Sequence, residues 1–368
     1  MRIIISGGGT GGHVFPAIAI AQAIRRLQPD CEVLFVGALG RMEMEKVPAQ
    51  GFPIKGLWIS GFRRSLSFSN LFFPLKLAVS MVQALILLIK FRPQAVVGVG
   101  GFASGPVMRA ASWLGIPIYI QEQNSYPGVT NRIMARRARL IFTAYPNMEP
   151  WFPPQKTLLA GNPVRRNVIA IEGLKEEALQ FFSLEKDLLT VLVIGGSQGA
   201  VSINRAVMNC LMVEDMQNLQ WIWQTGSSFA VEANDFVSKN QLARVRVHPF
   251  IQRMELAYAT ADVIISRAGA IAISELCNIG KPVILIPYPY AAANHQMYNA
   301  KRIAEAGGAQ LIEDSRAAAE LCPALRKLIA DKELINRMGS AIRHMAIPDA
   351  DERIASAILD DLKKLKNR

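Results

Sequence analysis

Twice in this chain a short, continuously apolar run ends in clustered glycines and passes straight into a helical pattern. Residues 2–24 read RIIISGGGTGGHVFPAIAIAQAI, with Val14, Ala17, Ile18, Ala21 and Ile24 at helical spacing, and residues 189–208 read LTVLVIGGSQGAVSINRAVM. A run apolar at every position suits a parallel strand covered on both faces, and parallel strands need helical crossovers. Runs of this kind lie at residues 2–6, 33–36, 95–99, 116–120 and 140–143, then at 190–194, 221–224, 245–248, 263–266 and 283–287. Strand and helix in alternation predict an α/β chain, and the repeated strand–glycine–helix unit predicts two Rossmann-like, doubly wound domains. The Pro-rich stretch 145–154, with the segment up to Gly161-Asn162-Pro163, reads as the linker, dividing residues 1–160 from 161–348. Residues 349–368 read as a charged amphipathic helix whose packing partner the pattern leaves open.

The chain has 368 residues, 51% hydrophobic and 19% charged, which excludes a disordered protein and supplies two cores. Cys31, Cys210, Cys277 and Cys322 are far apart and form no CxxC pair. A disulfide framework or structural zinc site is therefore not expected, and a reducing compartment is. No signal-peptide pattern precedes the first glycines, and the longest weakly charged stretch, residues 77–89, is 13 residues long. Crossing a bilayer takes roughly 20, so a soluble cytoplasmic chain is expected. The net charge of +12 is lopsided: residues 1–160 hold 17 Lys/Arg against 6 Asp/Glu, and residues 161–368 hold 24 against 23. A positive field confined to the first half attracts a polyanion, an anionic membrane or a phosphorylated substrate.

A glycine turn between strand and helix turns backbone N–H groups toward an anion. Gly7-Gly8-Gly9-Thr10-Gly11-Gly12 contains GxGxxG, yet the next strand runs into Val36-Gly37-Ala38-Leu39-Gly40 without the acidic residue that holds a dinucleotide ribose. The second turn, Gly195-Gly196-Ser197-Gln198-Gly199, is followed by Gln224-Thr225-Gly226, again without an acid, and neither turn is a Walker A loop. An NAD-dependent oxidoreductase is thus the weaker reading. A third turn, Ser266-Arg267-Ala268-Gly269, opens a helix in which Glu275 is placed to accept ribose hydroxyls, and Asn294-His295-Gln296 follows the next strand. In the first half, Gly98–Pro106 and Gln121-Glu122-Gln123-Asn124 each follow an apolar run, and His13 starts the first helix. Asp349-Ala350-Asp351 spells DxD, but its place at a helix start is explained by capping, so no metal is assigned.

Taken in order, Gly7–His13 with Phe15-Pro16-Ala17, the Gly98–Pro106 loop, Glu122-Gln123-Asn124, Gly161-Asn162-Pro163-Val164-Arg165, Gly195–Ala200, Gly269–Glu275 and His295-Gln296 resemble the MurG family. The resemblance spans nearly the whole chain. It implies a GT-B glycosyltransferase, with two Rossmann-like domains facing a cleft and the final helix crossing back to the first. It also implies inverting transfer of N-acetylglucosamine from UDP-N-acetylglucosamine to the 4-hydroxyl of undecaprenyl-diphosphate-linked N-acetylmuramoyl-peptide, with no cofactor and no metal. The family's His-Glu-Gln-Asn stands here as Gln121-Glu122-Gln123-Asn124, so His13 and Glu122 are the candidate catalytic residues. Donor contacts are expected from Thr10, Gly11, Gly12, Asn124, Arg165, Ser197, Ile251, the helix start Ala270, Ile271, Ala272, Ile273, Ser274 and Glu275, and Gln296. Acceptor contacts are expected from Gly101, Ser104 and Gly105.

A lipid-linked acceptor places the enzyme on the cytoplasmic face of an anionic inner membrane. Phe62, Arg63, Phe68, Leu71, Phe72, Phe73 and Lys76 mix aromatic and basic side chains as a peripheral segment does, while the helix beyond Leu77 reads as core. Cell-wall synthesis or division proteins are implied partners, and nucleic acid is not. The basic half lacks the aromatic–basic strand pattern or recognition helix of a nucleic-acid module. A GT-B transferase using another sugar nucleotide or acceptor is the nearest alternative.

Overall fold

The structure, a computed structural model, describes residues 1–61, 72–196 and 198–367. The chain forms two compact units, one of Met1–Val164 with Ile347–Arg368 and one of Arg165–Ala346.

In the first unit seven parallel strands lie in the order β3-β2-β1-β4-β5-β6-β7. They are β1 Arg2–Ser6, β2 Glu32–Ala38, β3 Ile54–Leu57, β4 Ala95–Gly98, β5 Ile118–Glu122, β6 Leu140–Thr143 and β7 Thr157–Leu159. Ile4 sits in register with Leu34 on one side and Val96 on the other. Alternation along β1 sends Ile3 and Ile5 into a core with Ile20, Ile24 and Ile358, and Ile4 into the opposite one with Val96, Ala84 and Val107. The final helix, Ala350–Lys366, thus packs within this unit, against the helix Gly11–Leu27. Asp349 stands at the start of this helix and Asp351 in its first turn, as expected, and Asp351 is also buried and pairs with Arg26 at 2.8 Å.

The second unit has six parallel strands in the order β10-β9-β8-β11-β12-β13. They are β8 Thr190–Ile194, β9 Gln220–Gln224, β10 Val245–His248, β11 Val263–Ser266, β12 Val283–Leu285 and β13 Ala309–Leu311. Val191 and Val193 face Ile203, Val207 and Leu325, while Leu192 and Ile194 face Leu256, Ile273 and Leu276. In both sheets strand order reverses beside the first strand, so the switch points fall between β1 and β4 and between β8 and β11. Ligands of open α/β sheets bind outside the carboxyl ends of the strands at such points. The glycine turns after β1 and β8 lie there.

Several expectations are corrected. The strands at 54–57, 157–159 and 309–311 were not foreseen because all three lie on sheet edges, where residues such as Lys55 and Leu158 are exposed and continuous apolarity is lost. β5 begins after Pro117, which has no N–H for the ladder. Residues 145–154 are no linker: Tyr145, Met148 and Phe152 are buried in the first core. The helix Phe73–Phe91 is not core beyond Leu77, since only Ser80, Ala84 and Leu88 are buried along it. Leu75, Leu77, Val82, Ile86 and Ile89 are all exposed. By length and composition this helix is apolar enough to cross a membrane, with a mean hydropathy of 1.7.

Candidate functional site

At the first switch point the helix Gly11–Leu27 starts on Thr10, whose extended backbone ends the glycine turn. His13 lies in its first turn, with Nδ1 3.0 Å from Thr10 Oγ1. The other edge of the imidazole lies against Gly100, where a Cβ would come within 3.1 Å of Nε2 and 2.9 Å of Cδ2. Any larger residue at position 100 would push against that edge of the ring. Pro16, inside this helix, has no N–H to donate to the Gly12 carbonyl.

The polar segment after β5 divides into buried and accessible parts. Glu122 is fully buried and accepts hydrogen bonds from the Asn124 and Gly128 N–H groups, both at 3.0 Å, and from Asn131 Nδ2 at 2.8 Å. Desolvation raises its pKa above the ordinary carboxylate range despite these donors. Glu122 therefore shapes the 123–128 loop, and its oxygens are spent on that loop rather than presented to a reacting group. Gln121 is also buried; its Nε2 donates to Asn162 Oδ1 at 3.0 Å and its Oε1 accepts from Gln123. Position 121 thus belongs to an interior amide network, and glutamine in place of histidine there removes no proton acceptor from the surface of the site. Asn124 is half-buried, with its side-chain amide 3.3 Å from Glu122 Oε1. Among the expected acceptor residues, Gly101 and Gly105 are partly open, but Ser104 is buried and donates to the Gly101 carbonyl.

At the second switch point the helix Ala270–Ile279 starts on Gly269 with no side-chain cap and no acidic residue in its first turn. A Cβ on Gly269 or Gly196 would meet no atom within 4 Å, so open space stands over both turns. The N–H of Ile273 already bonds the Gly269 carbonyl, and the Ser274 hydroxyl turns back to the Ala270 carbonyl. Ala270, Ile271 and Ala272 are the helix-start residues whose N–H groups precede the helical ladder, so Ile273 and Ser274 drop out as anion contacts through these groups.

Glu275 is buried, accepting from the Tyr258 hydroxyl at 3.1 Å and lying 3.5 Å from Arg165 Nη2. Burial raises its pKa, with Arg165 and the tyrosine hydroxyl opposing. The Ile251 N–H donates to Gln224 Oε1 at 2.9 Å. Gln296 Oε1 accepts from the Tyr288 N–H at 2.9 Å. His295 bonds the Ala292 carbonyl, and burial lowers its pKa. Ser197 lies outside the described residues, as do Phe62, Arg63, Phe68 and Leu71.

Two charged residues of these turns escaped sequence reasoning. Arg267 bonds the Ile286 carbonyl at 3.0 Å and Ser202 Oγ at 2.9 Å, and pairs with Asp314, bracing the turn before Gly269. Glu43 lies beneath the first glycine turn, accepting from the Gly9 and Ala38 N–H groups, both at 3.0 Å. The acid missing from the end of β2 is therefore supplied from five residues further on, but it is consumed inside the protein. That removes the ribose-binding role a dinucleotide site would need and weakens the oxidoreductase reading further.

Residues 3–143 match the glycosyltransferase family 28 N-terminal domain and residues 190–354 the glycosyltransferase family 28 C-terminal domain. The chain is 48% identical over 367 residues to the UDP-N-acetylglucosamine--N-acetylmuramyl-(pentapeptide) pyrophosphoryl-undecaprenol N-acetylglucosamine transferase of Christiangramia forsetii, covering 100% of this chain and 98% of that one. It is 43% identical over 366 residues to the transferase of the same name from Flavobacterium psychrophilum, covering 100% and 99%. The crystal structure of Acinetobacter baumannii MurG superimposes with a TM-score of 0.78 at 28% identity, over 98% of this chain and 99% of that one. With full-length identity at this level and both family 28 domains in order, the chain belongs to the MurG family of N-acetylglucosamine transferases.

Proposed function

We propose that this chain transfers N-acetylglucosamine from its uridine diphosphate to the 4-hydroxyl of undecaprenyl-diphosphate-linked N-acetylmuramoyl-peptide, converting lipid I to lipid II in bacterial cell-wall synthesis. Family membership carries the substrates. The observation that carries the chemistry is the uncapped helix start at Gly269, with Glu275 buried one to two turns further along.

In this scheme the acceptor O4 forms a bond to the anomeric carbon while the bond from that carbon to the diphosphate oxygen breaks. One displacement inverts the anomeric centre and gives a β-1,4 link. The O4 proton passes to His13 Nε2, and the bonding pair leaves with UDP. His13 Nδ1 lies 3.0 Å from Thr10 Oγ1; in this scheme Nδ1–H donates to that oxygen, which puts the lone pair on Nε2. Thr10, Gly11, Gly12 and Asn124 are assigned to the transferred sugar, and Gly101 and Gly105 to the acceptor.

Charge developing on the leaving diphosphate falls on the N–H groups of Ala270, Ile271 and Ala272, the Gly196 turn and Arg165. Preorganised donors of this kind stabilise a leaving anion without a metal ion. Glu275 receives the ribose hydroxyls in place of its long contact with Arg165. The Ile251 carbonyl meets the base, and Gln296 meets the sugar hydroxyls.

The helix Phe73–Phe91 supports membrane docking. It rests on its own unit through Ser80, Ala84 and Leu88 and leaves Leu75, Val82, Ile86 and Ile89 exposed, with Phe72 and Lys90 also exposed, while the partly buried Lys76 donates to Ser60 Oγ at 3.2 Å. A helix held to protein on one face and apolar on the other lies in the interfacial plane of a bilayer, and the basic first half draws it to anionic lipid. The deciding assay is transfer of labelled N-acetylglucosamine to a lipid-linked muramyl acceptor with and without chelator. Chelator-resistant transfer is expected. Donor binding without transfer would overturn the acceptor, and no donor binding would overturn the whole assignment.

A further inference from the structure

In a phosphate-binding glycine turn the backbone N–H groups are left free for the ligand's oxygens. The turn after β1 is built differently. Glu43 opens the short helix Glu43–Lys46, is 1% exposed, and spans two segments with one carboxylate: Oε2 takes the Gly9 N–H and Oε1 takes the Ala38 N–H. Among the described residues no Lys, Arg or His lies within 4.0 Å of it to form an ion pair. Its oxygens are satisfied instead by these two N–H groups, one at the end of β2 and one in the turn that leads into a 17-residue helix.

The surrounding glycines follow from this carboxylate. A Cβ on Gly8 would stand 2.2 Å from Glu43 Oε1, and one on Gly37 would stand 2.5 Å from Glu43 Cγ. Either position would be overfilled by any other residue. On the opposite side, a Cβ on Gly9 would come within 3.0 Å of the Phe102 ring. The turn is clamped between an internal anion and an aromatic wall, and Thr10 and His13 follow directly from it.

We infer that Glu43 is a positioning residue for the transfer: an internal carboxylate that occupies the first glycine turn, fixes Thr10 and His13, and excludes phosphate from the Gly9 N–H. This rests on the transfer reading above. It keeps the sugar nucleotide's diphosphate off the Gly9 N–H, in favour of the turns at Gly196 and Gly269. Glutamine keeps the volume but loses half of the function, because its amide nitrogen is a donor facing a donor.

The experiment compares wild type, Glu43→Gln and Glu43→Asp in the transfer assay and by amide and imidazole NMR. Expected for Glu43→Gln are a kcat lowered about 10- to 100-fold by misplacement of the base, a donor KM within about twofold of wild type, faster exchange of the Gly9 amide and shifted His13 ring resonances. Glu43→Asp, which restores charge without reach, is expected to recover part of kcat. An unchanged kcat with unchanged His13 resonances would overturn the inference. So would equal losses in kcat and donor affinity accompanied by a lowered melting temperature, the mark of a merely structural role. Titration of wild type with inorganic diphosphate needs no variant: the Ala270 and Gly196 amides are expected to shift while Gly9 stays still. Movement of the Gly9 amide overturns the exclusion of phosphate. These resonance tests stand even where wild type makes no disaccharide, a result that would count against the transfer reading alone.

Discussion

The hydroxyl of Tyr258 donates to Glu275 Oε2 at 3.1 Å, and both side chains are buried beneath the helix that starts at Gly269. Burial pushes the tyrosine well above its ordinary pKa, so it remains a donor at any working pH and holds the glutamate in one orientation. The same burial raises the Glu275 pKa. A carboxylate kept in place at that energetic cost is consistent with a role in binding.

Glu275→Gln is therefore expected to separate stability from binding. A folded-state pKa above the unfolded value gives stability that is complete below the unfolded pKa and is lost as pH rises through the folded one. Once pH has risen through the folded pKa the wild-type group carries the desolvation penalty. The neutral amide removes it, so the variant's melting temperature is expected to equal or exceed wild type above that pH and to converge on it in acid. Donor affinity moves the other way, falling by about 1.5–3 kcal/mol, roughly 10- to 100-fold, as hydrogen bonds to a charged acceptor are lost. For wild type, donor affinity falls with acidification from a pH above the ordinary carboxylate range. Thermal melts and calorimetric titration with UDP across pH check both.

His13→Ala is expected to lower kcat by about 10²–10⁴ while leaving donor KM near wild type, because general-base catalysis acts on the acceptor proton. Thr10→Val removes the partner of Nδ1 together with a hydroxyl assigned to the sugar, and because the base itself stays in place its kcat is expected to fall less. A pH–rate profile reads the difference: the limb assigned to the base disappears in His13→Ala and shifts in Thr10→Val.

The interior strands were legible because residues such as Ile3, Ile4 and Ile5 are buried on both faces and leave an unbroken apolar record. Glu275 was legible from its place after a strand and a glycine turn. Glu43 was not: its partner Gly9 lies 34 residues away, and a glutamate within RMEMEK reads as the solvated face of a short helix. Ser104 and Glu122 show the converse. A polar loop announces a site, but residue type alone does not separate side chains that face a ligand from those spent holding the loop. The helix Phe73–Phe91 was misread after Leu77 because apolar positions occur around its whole circumference, and periodicity then gives no inside.

Glu122→Gln is expected to damage the loop before it damages chemistry. The carboxylate receives bonds on both oxygens, whereas glutamine turns an NH₂ toward one set of donors. Each buried donor left unsatisfied costs about 1–3 kcal/mol, so a lower melting temperature and faster exchange of the Gly128 amide are expected. A catalytic Glu122 would instead lose kcat with an unchanged melting temperature.

The outward face of the helix Phe73–Phe91 separates membrane docking from catalysis. Val82→Ser, Ile86→Ser and Ile89→Ser together replace three exposed apolar side chains without touching Ser80, Ala84 or Leu88, the residues that hold the helix to its unit. Co-sedimentation with vesicles containing anionic lipid is expected to fall sharply, while transfer to a short-chain, water-soluble acceptor stays at the wild-type rate. Lys90→Glu probes the charge component: each basic residue near an anionic surface contributes about 1 kcal/mol, and its removal is expected to weaken binding at low salt more than at high salt. Wild-type binding is expected to reverse in high salt, as for a helix lying in the interface. Retention on the vesicles after salt and alkaline washing would mean that the helix inserts across the bilayer, which would require it to leave its seat on Ala84 and Leu88.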